Sequence, residues 1–185
     1  MTDVQTIARA DLRVASHRLS LTPRLVLIAA TLGSGLLAGL FYAYQVSVIP
    51  AFKDIDDVGY VTSFNAINDK IQNGWFFLSF MGTLPLIAAA LYLYRRSSKS
   101  VTGLIVAGLI LNLTVLGVTA FGNIPLNNDL AEYESVTPET AAVARAEFEG
   151  TWNDLNLVRT LAALGSFVVL TVAVNLDPTP RRRAD

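Results

Sequence analysis

The chain has 185 residues, of which 52% are hydrophobic and 16% charged, with a formal net charge of −1. A soluble domain averages about 25% charged residues, so a soluble globular enzyme and a disordered chain are both disfavoured, and no basic field exists to recruit nucleic acid. The absence of Cys removes disulfides, thiolate catalysis and iron–sulfur clusters, and the single His17 removes any site built from several histidines of one chain.

A bilayer-spanning helix needs roughly 20 mostly apolar residues, and the sequence predicts an all-α, integral membrane four-helix bundle with amphipathic helices in the outer loops. An arm of residues 1–22 comes first, as an interfacial helix or a disordered segment. Arg9, Arg13 and His17 share one of its helical faces, and Val4, Ala8 and Leu12 lie largely opposite. The transmembrane domain covers 23–176. Its first span, about 25–49, is expected to start at Thr22-Pro23, because Pro suits a first helical position. Gly35, Gly39, Ala43 and Ser47 recur every four residues along it. This small-residue stripe fits close packing within the bundle or a homodimer seam.

The connection from Pro50 to Asn73 is acidic. Tyr60, Phe64, Ile67 and Ile71 fall on one helical face, with Asp56 placed to cap the start. The second span is about 74–94 and the third 101–122, joined by the short basic link Arg95 to Ser100. Asn112 sits mid-span as an expected interhelical hydrogen-bonding group. Pro125 is expected to stop the third span. Thr137-Pro138 then starts a helix that runs toward the fourth span, about 157–176, with Gly150 as a weak point. Residues 177–185 form a basic tail, with Arg181 to Arg183 near anionic lipid.

Ten of the fourteen Lys and Arg residues fall on the side of the two termini and the Arg95–Ser100 link. The distribution predicts a multi-pass protein of the cytoplasmic membrane with both termini cytoplasmic. Chain alternation then gathers polar and aromatic groups at the outer mouth: Tyr44 and Gln45; Asn68 and Asn73; Trp75, Phe76 and Phe80; Asn123 and Asn127; Trp152, Asp154, Asn156 and Arg159. Nine of the seventeen aromatic residues lie at that end, as an interface belt or as the walls of a site for a flat, mostly apolar ligand with a few oxygens. Trp152, Asn156 and Arg159 share one face of the last helix. Arg159 either snorkels to lipid phosphate, pairs with Asp154 or Asp69, or points as a planar donor into the pocket. Asp56-Asp57 imitates a metal site, although a solvated helix start is the simpler reading, and no metal site is called for.

Four stretches carry a resemblance: Gly35 to Pro50, Phe64 to Phe76, F-G-N-I-P-L-N-N-D-L-A (Phe121 to Ala131) and W-N-D-L-N-L-V-R-T (Trp152 to Thr160). Together they resemble the anthrone-oxygenase-like membrane family, mostly catalogued as a domain of unknown function. The resemblance implies a four-helix membrane protein that oxidises anthrones to anthraquinones with molecular oxygen and no cofactor. It carries Asn68 and Asn73, Asn123 and Asn127, and Trp152, Asn156 and Arg159 over as site residues. Relatives often have Pro where this chain has Gly74, and many have His where it has Leu157. The reading that follows is a cofactor-independent oxygenase. Trp152, Phe76 and Phe80 stack the substrate ring, Arg159, Asn156 and Asn123 hold its oxyanion, and Asp154 or Asp69 serves as base. The alternative is a non-enzymatic membrane protein that binds a lipid, a quinone or a partner subunit through the same mouth.

Overall fold

The computed structural model describes residues 2–133 and 136–177, with backbone alone for residues 2–21. The expected face of Arg9, Arg13 and His17 and the tail Arg181 to Arg183 therefore lie outside the described side chains. Among the described residues there is helix and no strand. The elements are α1 (Thr2–Ala43), a wide turn π1 (Tyr44–Val48), α2 (Ile49–Phe52), α3 (Asp57–Ile71), α4 (Gly74–Tyr94), α5 (Lys99–Val118), a second wide turn π2 (Thr119–Asn123), α6 (Ile124–Ala131) and α7 (Pro138–Leu176).

Four helical stretches are long and apolar enough to cross a bilayer: Thr22–Phe52, Gly74–Tyr94, Lys99–Ala131 and Pro138–Leu176. The chain is a multi-pass membrane protein built as a four-helix bundle. α7 is its centre and packs along α5, α1 and α3. At 1.5 Å per residue its 39 residues reach about 58 Å. The hydrocarbon layer is about 30 Å thick, so α7 projects well beyond it. The projecting half, together with α3 and α6, forms a cap over one end of the bundle.

Local chemistry sets the helix starts. Asp56 caps α3 by accepting from the Gly59 N–H at 2.7 Å. Thr137 caps α7 through a reciprocal pair with Thr140, and Pro138 follows at the first position. Tyr60 and Phe64 are buried as the face of α3 requires. They pack with Phe52, Phe148 and Trp152 in an aromatic cluster that fastens α3 to α7. Burial holds the Tyr60 phenol well above its ordinary value; Glu149 adds to the shift and Arg145 opposes it.

Two proline expectations are corrected. Pro23 does not start the first helix; α1 runs through it, at the cost of one helical donor. Pro125 does not stop the third span. The helix widens into π2 and continues as α6, with Pro125 in the first turn. Pro50 does the same after π1. A proline ring clashes with the carbonyl four residues back. In each wide turn the residue before the proline bonds five residues back instead: the Ile49 N–H to the Tyr44 carbonyl, and the Ile124 N–H to the Thr119 carbonyl. The added residue in the turn relieves the clash and lets the chain continue. The helix started at Thr137-Pro138 runs straight into the fourth span, continuous across Gly150.

Deeper in the bundle the Ser34 and Ser166 hydroxyls lie 3.3 Å apart, and Ser166 donates to the Gly108 carbonyl at 3.1 Å. This joins α1, α7 and α5 where lipid satisfies no polar group. Asn112 is buried. The small-residue stripe of α1 divides. Gly35 faces Phe167 of α7, so that a β-carbon there would lie 3.0 Å from its ring, whereas Gly39 faces open space.

Candidate functional site

A cavity of about 210 Å³ lies between the cap and the bundle. Each wall comes from a different element: Leu40, Phe41 and Tyr44 from α1 and π1, Phe64, Asn68, Ile71 and Gln72 at α3, Phe76, Phe77, Phe80 and Met81 from α4. Thr119, Asn123, Ile124, Asn127 and Asn128 come from π2 and α6, and Trp152, Asn156 and Arg159 from α7. The wide turns position two of these walls. Thr119 and Asn123 are four apart and both buried. A regular helix drifts by about 40° over four residues, and the wider turn keeps them in line.

Arg159 is buried at 6% exposure, and Asn156 and Asn123 at 0% and 1%. Arg159 therefore does not snorkel. It makes no ion pair among the described residues, since Asp69 pairs with Lys70 at 2.8 Å. Its guanidinium carbon stands 4.6 Å from the centroid of Phe41 and 5.2 Å from that of Trp152, which supplies cation–π attraction. One Nη donates to the Asn156 Oδ1 at 3.0 Å, and Nε has no partner. Asn156 in turn donates to the Gln45 Oε1 at 3.1 Å. A second amide chain runs from the Trp152 Nε1 to the Asn127 Oδ1 and from the Asn127 Nδ2 to the Asn68 Oδ1, both at 2.8 Å. These two chains fix the orientation of Trp152, Asn156 and Arg159.

Asn123 stands apart from them. Its side-chain oxygen and nitrogen are both buried and both lack a partner. Burying such a group costs about 1–3 kcal/mol. Asn123 and Arg159 thus both leave hydrogen-bonding capacity unused at the wall of one cavity, and the guanidinium lacks a counter-charge among the described residues. The remaining walls are largely apolar and aromatic, with Phe76 stacked on Phe80 at 5.2 Å between centroids. The arrangement is suited to a flat apolar body carrying a polar or anionic oxygen.

The structure thus brings together Arg159, Asn156, Trp152, Asn123, Asn127, Asn68, Phe76, Phe80 and Tyr44. Gln45 sits one layer behind, holding Asn156. Asn73 is spent as the cap of α4, accepting from the Trp75 and Phe76 N–H groups. Trp75 is 81% exposed and turned away from the cavity. Asp154 is exposed and outside the lining, because it lies two residues from both Trp152 and Asn156 and so on another face of α7. Leu157 is also exposed and outside it. Met81, Ile124 and Thr119 line the cavity without having been singled out from sequence. Of these only Thr119 carried a signal, its four-residue spacing from Asn123.

No curated protein and no solved structure matches the chain. A family model described as anthrone oxygenase matches residues 75–169. The matched stretch runs from the start of α4 into the membrane half of α7. It holds the third and fourth of the stretches quoted above, with the first and nearly all of the second lying before it. With half of its length so matched, the chain belongs to the anthrone oxygenase family.

Proposed function

We propose that the protein is a membrane-embedded, cofactor-independent oxygenase. Its substrate is a flat, enolisable aromatic ketone of the anthrone type, bound in the cavity under the cap. The observation that supports this most strongly is the pairing on one aromatic-walled cavity of Arg159, which has no ion-pair partner among the described residues, with the unpartnered side chain of Asn123. An anthrone carries an acidic methylene opposite its carbonyl. Arg159 and Asn123 receive the carbonyl oxygen and stabilise the enolate that forms when the methylene proton leaves. No carboxylate lines the cavity among the described residues, so the proton passes to water at the rim near Gln72 and Asn128. The enolate carbon is electron-rich and reduces oxygen itself. A carbon–oxygen bond forms there, the second methylene hydrogen leaves as a proton while the oxygen–oxygen bond breaks, and the departing oxygen takes up both methylene protons to leave as water. The carbon ends as a second carbonyl, so all reducing electrons come from the substrate.

The orientation we infer places the cap outside the cell. Arg95, Arg96 and Lys99 lie at the opposite end of the bundle, and Lys53, Lys70 and Arg145 at the capped end. The basic side faces the cytoplasm, with both termini. The test is oxygen uptake by the detergent-solubilised protein given anthrone, with the spontaneous rate subtracted. Uptake that collapses in Arg159→Ala is expected. Uptake that is equal in wild type and variant overturns the assignment.

A second reading is favoured by the exposure of Asp154 and Asp69. Without a protein base, the same cavity holds a lipid or quinone oxygen without turnover. Binding of an anthraquinone with no uptake of oxygen selects it.

A further inference from the structure

We propose that the cavity opens sideways into the bilayer, between α4 and the π2–α6 segment, and that its ligand arrives from the membrane leaflet on the capped side. This rests on reading the cavity as a ligand site. The short link Arg95–Ser98 holds the uncapped ends of α4 and α5 together, where Ile87, Ala90 and Tyr94 of α4 meet Val101 and Ile105 of α5. Toward the cap the two diverge, and α4 has no substantial packing against π2 or α6. The cavity fills that gap.

Its lining there reaches the surface. Phe77, Met81 and Ile124 line the cavity and are each about half exposed, at 45%, 51% and 46%. The surrounding surface is apolar: Leu78 and Phe121 are exposed beside the gap, and no residue from Gly74 to Tyr94 is charged. An exposed, uncharged surface of this kind on a membrane helix faces lipid tails. The buried polar side chains Asn123, Asn156 and Arg159 lie on the inner side, and the exposed Gln72 and Asn128 form a polar rim on the cap side, away from this sill. A molecule dissolved in the bilayer therefore meets an apolar sill first and its oxygen acceptor site last. A water-borne ligand would meet the reverse order. The occupant that fits is a lipophilic planar aromatic, partitioned into the membrane and carrying an oxygen at one end.

The experiment uses the full chain in phosphatidylcholine vesicles with Trp75→Phe, which leaves Trp152 as the single tryptophan. Anthraquinone dissolved in the bilayer is the probe, and quenching of Trp152 is the signal. Phe77→Ala and Met81→Ala are expected to raise the association rate several-fold. Leu36→Ala, on the lipid-facing side of α1, is expected to leave that rate unchanged. A second measurement closes the gap. Met81→Cys with Ile124→Cys, bridged by a flexible bifunctional thiol reagent in this cysteine-free chain, is expected to block quenching until the bridge is reduced. Rates unmoved by the alanine variants, or a bridged protein quenched at the free rate, overturn the portal. Saturable quenching without oxygen uptake removes the oxygenase reading and leaves the portal standing. No saturable quenching in the unbridged protein overturns both.

Discussion

Arg159 and Asn123 are both buried with side-chain polar atoms left without a partner. A guanidinium buried without a counter-ion and an amide buried without a partner are each unfavourable to folding. Such costs persist where a ligand recovers them, and stability then trades against function. Asn123→Leu is predicted to leave the melting midpoint of the solubilised protein unchanged or to raise it, since the unpaired amide is removed. It is predicted to lower oxygen uptake by about tenfold, the equivalent of one hydrogen bond at 1.4 kcal/mol. A melting midpoint that falls with Asn123→Leu would show that the amide is structural. At this scale the sequence was legible where helical spacing alone decides. Trp152, Asn156 and Arg159 fall on one face and do meet. It was not legible for Asp154. Proximity in sequence suggested a base, whereas the 3.6-residue period turns that carboxylate outward. The same rotation turns Leu157 away from the cavity, so a histidine there would not face the substrate.

Among the elements, the link between α7 and the loop before α3 holds the cap in place. Arg145 donates to the Phe52 carbonyl at 2.8 Å, the Ile55 carbonyl at 3.0 Å, the Asp57 Oδ1 at 3.1 Å and the Glu149 Oε2 at 2.9 Å. Its guanidinium carbon also stands 4.5 Å from the Tyr60 ring centroid. A planar fork meets this set of acceptors, and an ammonium does not. Arg145→Met is predicted to cost about 3 kcal/mol and to speed amide exchange in α3, with the α5 core amides unaffected. Arg145→Lys should recover only part of the loss. Uniform exchange across the bundle would contradict this division. The clamp was not readable from sequence, where Arg145 counted only as one of the few basic residues on the acidic side; Glu149 is a helical i,i+4 neighbour, but Phe52, Ile55 and Asp57 lie some 90 positions away. Pro125 teaches the same point. Proline does end most helices, but the wide turn before it absorbs the lost donor, and only the folded backbone reveals that turn.

For the whole molecule, hydropathy and basic-residue spacing predicted four spans, and the structure places all four expected segments inside long apolar helices. These are the signals that a bilayer makes strongest, because it demands continuous apolar length and internally paired backbone. The bundle supplies rigidity at the uncapped end and a gap at the capped end, and the cavity sits where three connections converge on α7. A cation buried under a cap with no ion-pair partner among the described residues favours an anionic group in the cavity. The most direct measurement is therefore the affinity of two probes sharing one flat ring system, anthracene-9-carboxylate and anthracene, for the vesicle-embedded Trp75→Phe protein and for folded Arg159→Met in the same background, read by Trp152 emission. The account predicts that the variant loses about tenfold to a hundredfold in affinity for the carboxylate and keeps its affinity for anthracene. Unchanged carboxylate binding, or equal loss for both probes, would contradict it.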